Sequence, residues 1–226
     1  MEIVRQRRDP SIARDMQHLL LLPGSRRSEI ERLMHPMLST VAALYQRHPG
    51  LRFAVSAPRE KIKLMIEESC AAFRNEHPDV KLPPLEISSG DTARWLQEAG
   101  TGLAASGTVT VECGIAGLPL VVIYKISPLT FFLAKHIIRI KLFRNFFTMV
   151  NIIAEKEVYQ EFLQEKVTVE NMLAAVERIL PGGERRALVE SEIERVSNLL
   201  AVGTGSQCRS AASAVADFLS NPPNPA

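Results

Sequence analysis

Residues 18–30 read HLLLLPGSRRSEI, an apolar run followed by a Pro-Gly-Ser-Arg turn and the start of a helical pattern. The leucines predict a buried strand, and Gly24 allows the backbone of the turn to approach a bound anion closely. The N–H groups at the start of a following helix attract negative charge. This stretch therefore predicts a strand–turn–helix unit with a phosphate site at its turn, formed by Gly24, Ser25 and Arg26.

Residues 102–112 read GLAASGTVTVE and repeat this arrangement. Ser106, Gly107 and Thr108 form the expected turn, and Glu112 lies about one helical turn further on, where its carboxylate suits ribose hydroxyls. The simpler alternatives are a helix N-cap at the turn and a surface glutamate. Two such turns, with an arginine on one and a glutamate on the other, indicate a nucleoside diphosphate bound between them.

The first turn taken alone is equally compatible with an ordinary tight connection. Arg26 favours function, because a guanidinium beside a helix N-terminus has no structural need to be there and can bind phosphate through two hydrogen bonds. Arg27 is expected to be solvated.

Strand-like and helix-like segments alternate along the first half of the chain, which predicts a doubly wound, Rossmann-like parallel sheet of the α/β class. Both turns would then lie at the carboxyl edge of the sheet. Ser28 and Glu31 have the spacing of a capping box, and Pro58 suits the first turn of the second helix. The predicted strands are 18–22, 52–57, 85–88, 102–105 and 119–124, and the predicted helices between them are 28–47, 58–75, 91–99 and 108–116.

The pattern changes after residue 124. Thr168 is expected to cap a helix that runs to about residue 180. The other expected elements are a helix at 129–142, an apolar connector at 146–153, a short helix at 158–164, and helices at 184–202 and 206–219. We divide the chain into a basic lead-in at 1–16, one domain at 17–220 and a disordered tail at 221–226.

Composition narrows the classes of function. The chain has 226 residues and a formal net charge of +2, which gives no basis for binding nucleic acid. Its three cysteines are far apart and lack metal-ligand spacing, so a reducing cytoplasm is expected. None of the five histidines lies in a metal or triad pattern, and no metal site is expected. The apolar segment at 126–150 is interrupted by cationic residues and is a poor candidate for a transmembrane span.

Two features of the region after residue 124 each allow two interpretations. Aromatic and basic side chains are mixed within 131–147, which fits either a packed helix with a solvated basic stripe or a patch that contacts an anionic membrane. Asn151 interrupts the apolar run at 149–153, where its amide either satisfies local backbone or contacts a substrate. The mixed residues are Phe131, Phe132, Lys135, Arg139, Lys141, Phe143, Arg144, Phe146 and Phe147.

Several motifs together resemble the lipid-A-disaccharide synthase family, in family order over about residues 17–215. They read LLPGSRRSEI at 21–30, ASGTVTVE at 105–112, PLVVIYK at 119–125, FFLAK at 131–135, VNIIA at 150–154 and EFLQ at 161–164. The resemblance implies a GT-B glycosyltransferase that moves 2,3-diacylglucosamine from UDP to 2,3-diacylglucosamine 1-phosphate with inversion. It implies no metal or other cofactor. Arg26 would then stabilise the charge that develops on the leaving diphosphate.

The resemblance also extends to individual residues. Arg26, Glu112, Asn151 and Gln164 match family motif positions and are expected to bind substrate. The family has proline where this chain has Gln160, which puts the local turn in doubt.

The resemblance covers only the C-terminal, nucleotide-binding half of a GT-B enzyme. We therefore expect an N-terminal domain to supply the acceptor pocket and the general base, and the chain alone to be inactive. The other expected partners are the anionic face of the inner membrane and a possible second copy of the chain. The alternatives are a non-catalytic UDP-sugar-binding module and a related transferase that uses a non-acylated UDP-sugar.

Overall fold

Six parallel strands form one sheet in the computed structural model, which describes residues 9–126 and 146–202. Their order is β3-β2-β1-β4-β5-β6, and helices pack against the sheet. The predicted doubly wound α/β fold is confirmed. The elements are β1 (Asp15–Leu22), α1 (Arg27–Arg47), β2 (Arg52–Ala57), α2 (Glu60–Glu76), β3 (Leu85–Ser89), α3 (Thr92–Glu98), β4 (Ala99–Ala105), α4 (Val109–Ile115), β5 (Leu120–Tyr124), α5 (Met149–Ala154), β6 (Gln160–Leu163), a 3₁₀ turn (Gln164–Lys166), α6 (Val169–Ile179) and α7 (Arg186–Val202).

The four leucines that end β1 lie at the centre of the core. Leu19, Leu20 and Leu21 are fully buried, as expected of a strand covered by helices on both faces. Leu21 pairs with Val55 of β2 on one side and with Leu103 of β4 on the other. The order of the strands reverses between β1 and β4, and such a switch point opens a crevice at the carboxyl edge.

The start of α1 differs from the prediction. Arg26 takes the N-cap position, and the Glu29 carboxylate accepts the backbone N–H groups of Ser25 at 2.8 Å and Arg26 at 3.2 Å. The capping acid is thus Glu29 rather than Glu31. Glu31 instead pairs with Arg27 on the surface, Nε to Oε1 at 2.6 Å.

The start of α2 also differs, because this helix begins at Glu60 with Arg59 at the N-cap. Pro58 therefore lies before the helix, in the connection from β2, and not in its first turn.

The segment at 158–164 is mainly a strand, and the predicted short helix there is wrong. Gln160–Leu163 forms β6, which pairs in parallel with β5 from Val121 to Tyr124. The predicted connector at 146–153 contains the helix α5. The helix capped by Thr168 is confirmed, with the Thr168 hydroxyl accepting the N–H of Asn171 at 3.2 Å.

Several predicted features lie outside the described residues. They are the helices at 129–142 and 206–219, the tail, and all of the basic and aromatic segment except Phe146 and Phe147. Within the described ranges, no helix is both long and apolar enough to cross a bilayer. Cys70 and Cys113 are free, buried thiols, and burial raises the pKa of both.

Candidate functional site

A cavity of about 380 Å³ lies at the carboxyl edge of the sheet, between the ends of β1, β2 and β4. It brings together all the binding residues predicted from the sequence except Asn151 and Gln164. The predicted residues that line it are Gly24, Ser25, Arg26, Ser106, Gly107, Thr108 and Glu112.

The turn after β1 requires glycine. Gly24 has φ of 115°, a value that L-residues rarely adopt, and a Cβ at this position would lie 2.3 Å from Oε2 of Glu29. This close approach lets the Glu29 carboxylate cap the N–H groups of Ser25 and Arg26. Because those two donors are already used, an anion at this turn would depend mainly on the Arg26 guanidinium. That side chain is 78% exposed, and its Nη1 atom lies 3.5 Å from Glu29 Oε1.

The turn after β4 leaves backbone donors available. The N–H of Ser106 donates to the carbonyl of Ile123 at 2.9 Å, and the Thr110 hydroxyl donates to the carbonyl of Gly107 at 2.8 Å. In contrast, the N–H groups of Gly107 and Thr108 have no partner among residues 9–126 and 146–202. The two turns are therefore unequal, with a side-chain cation on one and free backbone donors on the other.

Glu112 lies in the first turn of α4 and is half-buried in the cavity wall. Loss of solvent around the carboxyl raises the pKa of Glu112. Its carboxylate forms no hydrogen bond or ion pair with the part of the chain that the structure describes. A half-buried carboxylate in this state is a good acceptor for hydroxyl groups of a ligand.

Near the ends of β2 and β3, three residues that the sequence did not indicate as binding residues also line the cavity. They are Ser56, Pro58 and Thr92, and the Ser56 and Thr92 hydroxyl oxygens lie 2.8 Å apart. Ser56 is the second-last residue of the predicted second strand, and Pro58 follows that strand. Their position at a carboxyl strand end was the signal that could have identified them.

A smaller cavity of about 350 Å³ adjoins the first and shares Arg26 and Glu29 with it. Arg32 and Lys125 also line it, so that three cationic side chains surround this space. It extends the site from α1 towards the end of β5.

A larger cavity of about 580 Å³ lies at the opposite, amino edge of the sheet, beside Arg14 and Arg186. The Arg186 guanidinium is already bonded to the carbonyls of Ile179 at 2.9 Å and Gly100 at 3.1 Å. The Arg186 guanidinium is thus bonded to backbone within the fold, and the switch point lies at the other edge of the sheet. For these two reasons we do not assign the ligand site to this cavity.

Asn151 lies away from these cavities and is fully buried. Its Oδ1 atom accepts the N–H groups of Val158 at 2.9 Å and Tyr159 at 2.8 Å. Its Nδ2 atom donates to the Tyr159 carbonyl and to Glu161 Oε1, both at 2.7 Å. Of the two interpretations left open by the sequence, the structure shows the local one, in which the amide satisfies backbone between α5 and β6.

Gln164 also lies outside the cavity wall. Its side chain accepts the N–H of Ile126 at 2.8 Å and donates to the carbonyl of the same residue at 3.4 Å. It therefore holds the segment that follows β5, and Ile126 in turn lines the smaller cavity.

Comparison with known proteins places this geometry in context. The family model described as lipid-A-disaccharide synthetase matches residues 3–218. Lipid-A-disaccharide synthases from Paramagnetospirillum magneticum and Psychromonas ingrahamii are 34% and 33% identical over 207 residues, which cover 92% of this chain and 50% of each relative. The enzyme from Photobacterium profundum is 36% identical over 176 residues, 77% of this chain and 43% of the relative. The chain spans about half the length of the curated relatives it matches.

Two solved structures share the fold. A mutant of the O-GlcNAc transferase from Thermobaculum terrenum has 13% identity and a TM-score of 0.50, over 94% of this chain and 38% of its own. The pneumococcal O-GlcNAc transferase GtfA in complex with UDP and GlcNAc has 12% identity and a TM-score of 0.50, over 85% and 34%. These likenesses support the Rossmann-like domain expected of a GT-B protein.

The family model covers nearly all of the chain, and two of the motifs that suggested the family, at 21–30 and 105–112, line the cavity at the carboxyl edge of the sheet. The chain therefore belongs to the lipid-A-disaccharide synthetase family.

Proposed function

We propose that this chain is the nucleotide-binding half of a lipid-A-disaccharide synthase and holds the UDP group of UDP-2,3-diacylglucosamine. The observation that carries the proposal is the cavity at the β1/β4 switch point, with Arg26 on one side and Glu112 on the other. The acceptor would be 2,3-diacylglucosamine 1-phosphate, and the product would be the disaccharide of lipid A.

The chemistry of the cavity wall suggests how UDP is oriented. The diphosphate lies between the Arg26 guanidinium and the free N–H groups of Gly107 and Thr108. The ribose hydroxyls donate to Glu112. The uracil then lies towards Ser56 and Thr92, whose hydroxyls offer donors and acceptors to a base.

The nucleotide-binding half contributes to transfer of the sugar by stabilising charge. As the bond from the sugar to UDP breaks, negative charge grows on the β-phosphate, and Arg26 is placed to stabilise it. A base must also remove the proton of the acceptor hydroxyl. We assign the base and the acceptor pocket to an N-terminal domain. Because both substrates carry acyl chains, the enzyme would work at the cytoplasmic face of the inner membrane as a peripheral protein.

Calorimetric titration with UDP and with uridine, in the presence of EDTA, tests the proposal. UDP should bind without a divalent metal, because the site offers a guanidinium and backbone donors for the diphosphate. Arg26→Ala should weaken the binding of UDP by about 1.5–3 kcal/mol, the value of a hydrogen bond to a charged group, and leave the binding of uridine nearly unchanged.

Arg27→Ala is the matched control, because this neighbouring arginine is exposed and paired with Glu31 outside the cavity. It should bind UDP like the wild type. Strict dependence of UDP binding on Mg²⁺, or equal losses for UDP and uridine in Arg26→Ala, would contradict the proposed orientation.

Glu112→Gln should have opposite effects on ligand binding and on stability. The pKa of Glu112 is raised in the folded state, so its protonated form contributes stability at low pH that is lost as the pH rises through that pKa. At neutral pH the charged carboxylate therefore costs stability, and Glu112→Gln should raise the melting temperature of the unliganded chain. The same change should weaken the binding of uridine, since glutamine replaces a charged acceptor.

A pH series separates these effects. Uridine affinity of the wild type should fall as the pH is lowered through the raised pKa of Glu112, whereas that of Glu112→Gln should stay flat. Parallel pH profiles in the two proteins would show that Glu112 does not hold the ribose.

A further inference from the structure

On the outer surface of α1 and α2, His35, Glu76 and His77 come together. We propose that these three side chains form a binding site for a transition metal ion of the zinc type, which fastens the middle of α1 to the end of α2. The site is separate from the nucleotide cavity and does not depend on the proposed function.

The ligand atoms are already close to one another. The Nε2 atoms of His35 and His77 are 3.0 Å apart, and one ligand atom from each of the three residues lies within 4.8 Å of the others. Two imidazoles on a tetrahedral zinc ion, with Zn–N distances of about 2.0–2.1 Å, have nitrogens about 3.3 Å apart. The two rings thus need to separate only slightly to admit an ion, and the Glu76 side chain needs to swing inwards.

One buried aromatic residue orients both imidazoles. Phe73 is 3% exposed, and the rings of His35 and His77 pack on it with centroid distances of 5.3 Å and 4.8 Å. The backbone of His77 is also fixed, since its N–H caps α2 by donating to the Phe73 carbonyl at 2.9 Å. Because packing holds the two rings in place, little side-chain freedom is lost when an ion binds.

The donor set selects the class of ion. Two imidazole nitrogens and one carboxylate oxygen are typical ligands of Zn²⁺ and of neighbouring ions such as Co²⁺ and Ni²⁺. Mg²⁺ prefers oxygen ligands and keeps its water, so it is a poor match. Without metal, a hydrogen bond between the two Nε2 atoms holds the pair, with one ring as donor and the other as acceptor.

The site would act on stability rather than on the nucleotide. His35 lies eight residues after the first residue of α1, about 12 Å along the helix axis from the end that faces the cavity. An ion held by both helices binds only the folded chain and therefore stabilises it by mass action.

Titration of the chain with Zn²⁺ and with Co²⁺ tests the proposal. We expect one Zn²⁺ per chain, a rise in melting temperature with Zn²⁺ but not with Mg²⁺, and visible absorption bands of nitrogen-bound Co²⁺. His35→Gln and His77→Gln should each lose the bands and the shift, and Glu76→Gln should weaken both. Glutamine keeps a polar side chain, and circular dichroism confirms that each variant folds.

His48→Gln is the matched control. His48 caps the end of α1 as His77 caps the end of α2, but its imidazole pairs with the Glu177 carboxylate, at 3.0 Å. It should bind the metal ions like the wild type, and Zn²⁺ should leave UDP affinity unchanged in all variants. The proposal fails if the wild type shows no Co²⁺ bands, or if the His35 and His77 variants bind as it does. In that case the pair is a hydrogen bond only, and the nucleotide proposal is unaffected.

Discussion

Replacing Asn151 by alanine should lower the free energy of unfolding by about 4 kcal/mol, measured by urea denaturation. The change removes all four hydrogen bonds of a fully buried amide. The N–H groups of Val158 and Tyr159 are then left inside the protein without an acceptor, at a cost of about 1–3 kcal/mol each. A loss of this size is a large part of the stability of an ordinary domain.

Asn171→Ala is the control, because Asn171 follows its capping residue Thr168 as Asn151 follows Thr148. Its amide is near the surface and donates only to the Lys166 carbonyl, at 2.9 Å. The expected loss is about 1 kcal/mol or less. Equal stabilities for the two variants, with UDP binding lost only in Asn151→Ala, would favour the substrate contact instead.

Gly24→Ala should damage both the fold and the site. Alanine at φ of 115° is strained by about 1–3 kcal/mol. In addition, the new Cβ would lie 2.3 Å from Oε2 and 2.8 Å from Cβ of Glu29. Glu29 must move, and the N–H groups of Ser25 and Arg26 lose their carboxylate. We expect a stability loss of about 3 kcal/mol or more and weaker UDP binding, because Arg26 is no longer held in place.

Gly117→Ala separates the backbone strain from the clash with Glu29. Gly117 also has positive φ, 69°, but a Cβ there meets nothing within 4 Å, and the residue lies outside the nucleotide cavity. It should show only the smaller backbone cost and bind UDP normally. If the two variants lose the same stability in urea denaturation and both bind UDP normally, the clash with Glu29 has no role.

The strands β1 to β5 were predictable because each is an apolar run between turn signals. β6 was not, because the segment at 158–164 also has helical spacing. Its strand state results from pairing with β5, which a local pattern does not reveal. The helix α5 inside the predicted connector was missed for a similar reason, because Asn151 and Glu161 hold that short helix by contacts eight to ten residues away.

The site was partly predictable. The two glycine turns were found because glycine and serine after an apolar run mark a turn. The capping acid was misassigned, since Glu29 can reach back only because Gly24 has positive φ. The Ser56–Thr92 and His35–His77 pairs join residues 36 and 42 positions apart, which only the packing of separate elements brings together.

The walls of the nucleotide cavity come from both halves of the sheet. Gly24, Ser56 and Thr92 belong to the β1-β2-β3 half, whereas Ser106 and Glu112 belong to the β4-β5-β6 half. Segments of a protein can open separately, each with its own free energy, and amide hydrogen exchange reports this. A nucleotide that contacts both walls would make the opening of either half release the ligand. The two halves would then exchange as one cooperative unit, coupled through the ligand as well as through the β1–β4 ladder and the helices packed over it.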